Sequence, residues 1–95
     1  YRQVGKNEYL VEASTPVNDL NELLSLTIPE SEEFESIGGL VMEHLGKIPE
    51  LGEIVNIDHY QFKVERMKGK RIVTLRLIIK DLKEEDNHGE TDLGS

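Results

Sequence analysis

The sequence contains no cysteine and no tryptophan, and its only aromatic side chains are three tyrosines and two phenylalanines. The lack of cysteine excludes disulfide bonds, thiolate metal sites and a cysteine nucleophile, and it fits a reducing compartment. The longest apolar run, Val73 to Ile79, is interrupted by Thr74 and Arg76. It falls far short of the roughly 20 residues that a bilayer-spanning helix needs, and no signal peptide pattern is present. We therefore expect this segment to be soluble, without direct membrane insertion.

The length and charge of the chain indicate one small domain with an uneven surface. Ninety-five residues suffice for a single modest core, and the start at Tyr1 rather than methionine suggests a fragment of a longer protein. Residues 1–58 carry 12 acidic and 3 basic side chains, a net charge of −9. Residues 59–80 carry 1 acidic and 7 basic side chains, a net charge of +6. Residues 81–95 carry 6 acidic and 1 basic side chain, a net charge of −5, and have few apolar side chains. We expect a domain over 1–80 and an acidic, disordered tail over 81–95.

The first half of the chain predicts strands followed by a helix. Tyr9 to Glu12 has the composition of a short strand, and Arg2 to Val4 is a candidate to pair with it. Thr15 and Pro16 predict a helix start, with threonine as the N-cap and proline at the first helical position. Pro29 is expected to end the segment.

A second helix is predicted from about Ser36 to Leu45, because apolar residues recur there at helical spacing and Gly46 can terminate it. His44 falls on the apolar face of this helix. A half-buried packing role for such a histidine is far more common than metal ligation.

The second half of the chain changes to a period of two, which is typical of β-strands. The turn candidates Asp58-His59 and Lys68-Gly69-Lys70 separate three strands, and a phase slip at Arg66-Met67 predicts a β-bulge. The pattern predicts an α+β fold in which two helices cover one side of a small antiparallel sheet. The expected core comprises Leu20, Leu24, Leu40, Val41, Leu45, Val55, Ile57, Phe62, Val64, Val73, Leu75 and Leu77.

Catalytic patterns are missing from the sequence. His44, His59 and His88 do not have metal-ligand spacing, no serine or threonine lies in a strand-turn-helix elbow, and no Gly-rich nucleotide loop is present. We expect no catalytic residues and no enzymatic activity.

Gly38-Gly39 has two interpretations. Two glycines in the first turn of a helix expose amides that can bind an anion. The more common role is to let the helix pack closely on a strand, and a lone glycine pair is a weak ligand signal.

The acidic connector between the predicted helices is a weak candidate for a metal site. Carboxylate oxygens suit Mg²⁺ or Ca²⁺, but the spacing does not match a calcium loop and no Asp or Asn completes a cage. We expect no binding tighter than about millimolar and a mainly solvated role. The candidate ligands are Glu30, Glu32, Glu33 and Glu35.

A cluster of basic residues flanks the last predicted turn. Period two places Tyr60 and Phe62 on the face opposite Lys63, so aromatic platforms for nucleic-acid bases are not expected. The alternatives are a solvated edge that discourages aggregation and a surface that docks an acidic partner. The docking candidates are Lys63, Arg66, Lys68, Lys70, Arg71 and Arg76.

Several linked motifs over residues 7–80 resemble the transporter-associated domain of CorC/HlyC-type proteins. Ordered motifs of this kind are far more specific than any single one. They are Thr15-Pro16, Asp19-Leu20-Asn21-Glu22, Gly38-Gly39-Leu40-Val41, Leu45-Gly46, Ile48-Pro49, Gly52-Glu53, Tyr60, Phe62, Val64, Met67, Gly69, Arg71 and Ile72.

The resemblance implies a longer membrane protein that contains a transmembrane domain, then a pair of cystathionine-β-synthase (CBS) domains, and this domain last. It also implies a link to magnesium and cobalt efflux, and some members of the family are named hemolysins. The family's fold is related to FAD-binding domains, but it is not characterised by flavin chemistry, so no cofactor is expected. A glycine usually follows the aspartate of the family's turn. If His59 had to adopt a positive φ there, the cost would be about 1 kcal/mol.

The resemblance favours a non-catalytic accessory or regulatory domain of a divalent-cation efflux protein, on the cytoplasmic side of the cell membrane. Its expected partners are the CBS and transmembrane domains of the parent, with a weak homodimer as a further possibility. The alternatives are a flavin- or nucleotide-binding module and a protein-interaction adapter.

Overall fold

The computed structural model describes residues 1–80, so the predicted acidic tail lies outside the described residues. Helices and strands follow each other as β1 Arg2–Gly5, β2 Glu8–Glu12, α1 Val17–Leu24, α2 Ile37–Leu45, β3 Ile54–Ile57, β4 Tyr60–Lys68 and β5 Arg71–Ile79.

The sheet has five antiparallel strands in the order β1-β2-β5-β4-β3. The predicted α+β class, an antiparallel sheet covered by two helices, is confirmed. The three-stranded meander β3-β4-β5 is present as predicted, and β2 pairs with β5 in the register Val11 to Leu75 and Tyr9 to Leu77. This pairing makes β5 the central strand, although it is last in the chain.

One face of the sheet and the two helices enclose the core. Cross-strand partners Val55 and Phe62, and then Phe62 and Leu77, point to this face. The prediction is confirmed for most core positions, but Leu24, Leu45 and Val73 are only half-buried. The buried side chains are Val11, Ala13, Val17, Leu20, Ile28, Ile37, Leu40, Val41, Val55, Ile57, Tyr60, Phe62, Val64, Ile72, Leu75 and Leu77.

The predicted bulge near Arg66 is confirmed and explains why Val73 is not buried. The register of β4 and β5 shifts between Val64 and Arg66 and again between Arg66 and Met67. The shift reverses the inward and outward alternation of β5. Thr74 is therefore buried in place of Val73, with 8% of its surface exposed.

Helix α1 begins one residue later than predicted. Pro16, and not Thr15, is the N-cap, and it makes no side-chain capping bond. The reason is a bridge between Pro16 and Ser36, in which the amide of Val17 donates to the carbonyl of Glu35 at 2.9 Å. Pairing with a segment about 20 residues later holds Pro16 in an extended conformation, with ψ of 141°.

The same helix ends earlier than the sequence suggests. Ser25 has a φ of 56° and caps α1 in the left-handed conformation, four residues before Pro29. Non-glycine residues adopt this conformation at a cost, because Cβ approaches the following carbonyl. The helix end therefore depends on a residue that is not well suited to it.

The Ser25→Gly variant is expected to be more stable than the wild type by about 0.5–1 kcal/mol, since glycine is the preferred residue at a left-handed helix terminus. Urea denaturation of the two proteins measures this difference. Ser14→Gly is the control, because Ser14 lies in a loop with no positive φ. Equal destabilisation by both substitutions would contradict the explanation.

Helix α2 and the hairpin turns form as predicted. The hydroxyl of Ser36 accepts a bond from the amide of Gly39 at 3.1 Å, and Gly46 ends the helix with a φ of 67°. In the β3–β4 turn the positive φ of 55° belongs to Asp58, and His59 shows none. The cost that the resemblance raised for His59 therefore does not arise, because an aspartate tolerates this conformation better than most residues. Gly69 supplies the positive φ of the β4–β5 turn, at 64°.

Candidate functional site

The end of the β4–β5 hairpin is the most strongly basic surface of the described residues. We call the exposed side chains Arg66, Lys68, Lys70 and Arg71 the hairpin tip. No carboxylate among residues 1–80 lies within 4.0 Å of any of them. Their charges are therefore directed to solvent and are available for contact.

The other two basic candidates, Lys63 and Arg76, lie along strands β4 and β5, away from the hairpin tip. Lys63 and Arg76 are cross-strand partners on the sheet face opposite the helices. The Arg76 guanidinium binds Glu65 through Nε at 2.7 Å and Glu8 through Nη1 at 2.9 Å. These bonds, Glu65 first, raise the pKa of Arg76. Arg76 thus ties β5 to both neighbouring strands, and its charge is already neutralised within the domain.

The acidic connector, residues 30–35, is a structured turn. Ser31 and Phe34 form a β-bridge, and the Ser31 hydroxyl accepts a bond from the amide of Glu33 at 3.1 Å. All four candidate carboxylates are exposed. Among the residues that the structure describes, no three Asp, Glu or His side chains are close enough to hold a metal ion together. The four carboxylates therefore do not converge on one point.

Gly38 serves close packing. Its amide donates to the carbonyl of Ala13 at 2.8 Å, and a Cβ on Gly38 would lie 2.9 Å from the Cβ of Ala13. The amide of Ile37 donates to Thr15 and that of Gly39 to Ser36. Because protein oxygens occupy all three amides, the alternative of an anion site at this helix start is not supported.

The Gly38→Ala variant is expected to lose about 1–3 kcal/mol of stability, because Ala13 cannot move away without disturbing the end of β2. Gly39→Ala is the matched control in the same helical turn. There the nearest atom would be the Cβ of Phe34 at 3.2 Å, and the gain in helix propensity of about 1 kcal/mol offsets the closer contact. Thermal unfolding should separate the two variants, and equal stabilities would refute the close-packing role.

Two open clefts lie beside the start of α2. The first has a volume of about 430 Å³ and extends from Ser36 and Met42 to Arg71 and Ile72. The second, of about 220 Å³, lies between the start of α1 and the acidic connector and includes Phe34. At the start of α2, beside the first cleft, the amides of Ile37, Gly38 and Gly39 are all bound to protein oxygens.

The aromatic side chains support the core, as the sequence predicts. Tyr60 and Phe62 are buried, and the Tyr60 hydroxyl accepts a bond from the amide of Thr27 at 2.8 Å. His44 departs from its predicted half-buried position and is exposed. Its Nδ1 lies 3.1 Å from the carbonyl of Leu40, which holds the ring along the last turn of α2.

The loop between α2 and β3 is organised by one carboxylate that sequence reasoning did not single out. Glu53 binds Lys47 at 2.9 Å and accepts a bond from the amide of Glu50 at 3.0 Å. These two contacts, Lys47 first, lower the pKa of Glu53. Ile48 and Leu51 in this loop, and Ile54 at the start of β3, are exposed apolar side chains. The motif Gly52-Glu53 is the only signal in the sequence that could have indicated this role.

The two helices of residues 1–80 contain eight and nine residues, and neither is long and apolar enough to cross a bilayer.

Comparison with known proteins assigns the chain to a family. The profile of the CorC_HlyC family, described as the transporter associated domain, matches residues 2–81. The chain is 37% identical over 81 residues to the magnesium and cobalt efflux protein CorC of Vibrio cholerae. That alignment covers 85% of this chain and 28% of the relative, so the chain spans just over a quarter of that protein's length.

Solved structures share the fold. A hemolysin domain from Enterococcus faecalis superimposes with a TM-score of 0.76 at 29% identity, over 84% of this chain and 96% of that domain. The transporter associated domain of a CBS domain protein from Porphyromonas gingivalis superimposes with a TM-score of 0.71, over 82% of this chain and 94% of that domain. At 24% identity, this second likeness concerns the fold alone. The family match over residues 2–81 establishes that this chain belongs to the CorC/HlyC family of transporter-associated domains.

Proposed function

We propose that this chain is a non-catalytic accessory domain of a longer CorC/HlyC-type protein linked to magnesium and cobalt efflux. It regulates or scaffolds the CBS and transmembrane parts of that protein on the cytoplasmic side of the membrane. The observation that carries the proposal is the family match over residues 2–81, combined with coverage of only 28% of the CorC relative. Transport then depends on the remainder of the parent, and this domain acts through contact with it.

The surface that suits such contact is the loop between α2 and β3. Ile48, Leu51 and Ile54 are exposed within seven residues, and Leu51 exposes 68% of its surface. Exposed apolar groups of this kind mark interaction sites. The Glu53 contacts hold the loop in one conformation, which lowers the entropic cost of docking.

The test compares cells that produce the full-length parent with cells that produce the parent truncated before this domain. Deletion is expected to shift the cobalt concentration at which growth stops, while the amount of membrane-inserted protein stays the same. In the full-length protein, Leu51→Asp should reproduce the shift, and Leu23→Asp, at an exposed position of α1, should not. Identical cobalt tolerance with and without the domain would contradict an accessory role.

Flavin binding is tested separately. FAD is large and usually needs a concave apolar pocket together with a cradle for its phosphates, whereas the amides at the start of α2 are occupied by Thr15, Ala13 and Ser36. We expect the purified domain to be colourless and its melting temperature to remain unchanged when FAD is added. A rise that grows with FAD concentration would contradict this expectation, because a ligand that binds only the folded state must stabilise it.

A further inference from the structure

The hairpin tip has positive charge that the domain itself does not neutralise. Arg66, Lys68, Lys70 and Arg71 lie within six residues of the chain and are exposed, and none has a carboxylate within 4.0 Å among residues 1–80. Arg76, farther along the same hairpin, is by contrast bound to two glutamates. The tip therefore presents a concentrated positive charge to any surface that it contacts.

Carboxylates on the adjoining strands cancel little of this charge. Glu65, which precedes the tip in β4, binds Arg76 at 2.7 Å. Glu53, just before β3, binds Lys47 at 2.9 Å. Glu12, at the end of β2, borders the 430 Å³ cleft beside the tip but forms no ion pair with it. At physiological ionic strength the Debye length is about 8 Å, so acidic residues farther away contribute little at the tip.

The tip has charge but no apolar anchor. Its side chains surround the turn at Gly69, where Lys68 and Arg71 are cross-strand partners. None of the large apolar side chains that are exposed in residues 1–80 belongs to residues 66–71. A protein partner is usually held by aromatic or other large side chains seated in pockets, whereas an anionic lipid surface attracts clustered lysines and arginines by charge alone. The composition of the tip thus favours a lipid surface over an acidic protein.

We propose that the hairpin tip docks on the anionic headgroups of the membrane in which the parent protein lies. Such docking rests on the proposed function, because it requires a parent that holds this domain near a membrane. Each lysine or arginine close to an anionic membrane surface raises the binding constant about fivefold. Four of them give weak binding for a free domain and effective binding for one that its parent already holds nearby. The contact is peripheral, since the tip has no exposed apolar side chain to insert.

A triple variant of the tip combines Lys68→Glu, Lys70→Glu and Arg71→Glu. Its affinity for anionic vesicles is expected to fall at least about a hundredfold, because three cations are lost at about fivefold each. Exposed charges contribute little stability, and circular dichroism melts verify that the variant is folded. A milder variant, Lys68→Gln with Lys70→Gln, removes two charges without reversing them and is expected to lose about 25-fold.

A second triple variant controls for net charge. It combines Arg2→Glu, Lys6→Glu and Lys80→Glu, at exposed positions away from the hairpin tip. The change in net charge equals that of the tip variant. Lys80 directly follows β5 and is nine residues from Arg71, a distance of about 30 Å at about 3.3 Å per residue. When the Debye length is about 10 Å, this variant should bind like the wild type.

Flotation of the 95-residue chain with vesicles measures the binding at ionic strengths of about 0.01 M and about 0.1 M, where the Debye length is about 30 Å and about 10 Å. Vesicles of phosphatidylcholine alone are compared with vesicles that contain phosphatidylcholine and phosphatidylglycerol in equal amounts. The wild type is expected to bind only the anionic vesicles, and more weakly at the higher salt concentration. Inorganic phosphate should displace it no more than chloride does at matched ionic strength, because the tip contacts many headgroups at once.

A wild type that binds anionic vesicles at neither ionic strength overturns the proposal, and so does an equal loss of binding in the tip and control variants. Displacement by phosphate beyond that by chloride would assign the tip to a soluble anion. A tip that ignores vesicles but is needed for binding the CBS fragment would assign it to an acidic protein, and either result equally overturns the lipid contact. The accessory role is judged separately, by cobalt tolerance with and without the domain.

Discussion

Leu40→Ala is expected to lower the free energy of unfolding by about 2–5 kcal/mol, the range for leucine truncation in a packed core. Leu40 has 0% of its surface exposed and belongs to the cluster in which α2 packs on the sheet. A domain of this size has about 5–10 kcal/mol of stability in total, so the loss is a large fraction of it. The melting temperature should fall by about 4–8 °C for each kcal/mol.

Leu23→Ala is the matched control, because it makes the same chemical change in a helix at a position that is 61% exposed. Its effect should remain within about 0.5 kcal/mol. Thermal and urea unfolding of both variants measure the difference. If Leu40→Ala were as mild as Leu23→Ala, the burial of the α2 face against the sheet would be wrong.

Asn21→Ala is expected to cost about 2–3 kcal/mol, although Asn21 is not an apolar core residue. Its Oδ1 accepts a bond from the amide of Ile28 at 2.9 Å, and its Nδ2 donates to the carbonyl of Ile28 at 2.9 Å. Ile28 is buried, so truncation leaves both of its backbone groups without these partners. Each unsatisfied buried group costs about 1–3 kcal/mol.

Asn18→Ala, in the same helix, is the control, since no side-chain bond of Asn18 is found in residues 1–80. Asn21→Asp adds a second comparison. It keeps the acceptor for Ile28 but loses the donor, and it brings a carboxylate close to Glu30, which Asn21 Nδ2 contacts at 2.9 Å. Urea unfolding should rank Asn21→Ala and Asn21→Asp well below Asn18→Ala. Equal stabilities would show that the loop after α1 does not depend on this side chain.

Features with local causes were predictable from the sequence. The alternation of β3 to β5, the turn at Gly69 and the end of α2 at Gly46 depend on residues a few positions apart, and all three were predicted. The role of Asn21 was not foreseen, because its partner is seven residues away in a loop without a periodic pattern. The same applies to Glu53, whose contacts depend on the path of an irregular loop.

The basic cluster shows the limit of charge patterning. Six cations along one hairpin looked equivalent in the sequence, but Arg76 is bound to Glu8 and Glu65. Glu8 lies 68 residues earlier in the chain, on a strand whose neighbour the sequence does not specify. Of these six cations, the four at the hairpin tip are exposed and have no ion pair within the described residues.

The sequence by itself determined the α+β class, the two helices, the β3–β5 meander and the family, because periodicity, capping residues and ordered motifs are local or linear properties. The tertiary structure alone decided that β2 pairs with β5 and that Pro16 is held extended by Ser36. It also bound Arg76 of β5 to Glu8 of β2 and Glu65 of β4. The physical reason is that pairing between distant segments depends on which backbone and side-chain groups meet after the chain collapses, and no spacing along the chain encodes that.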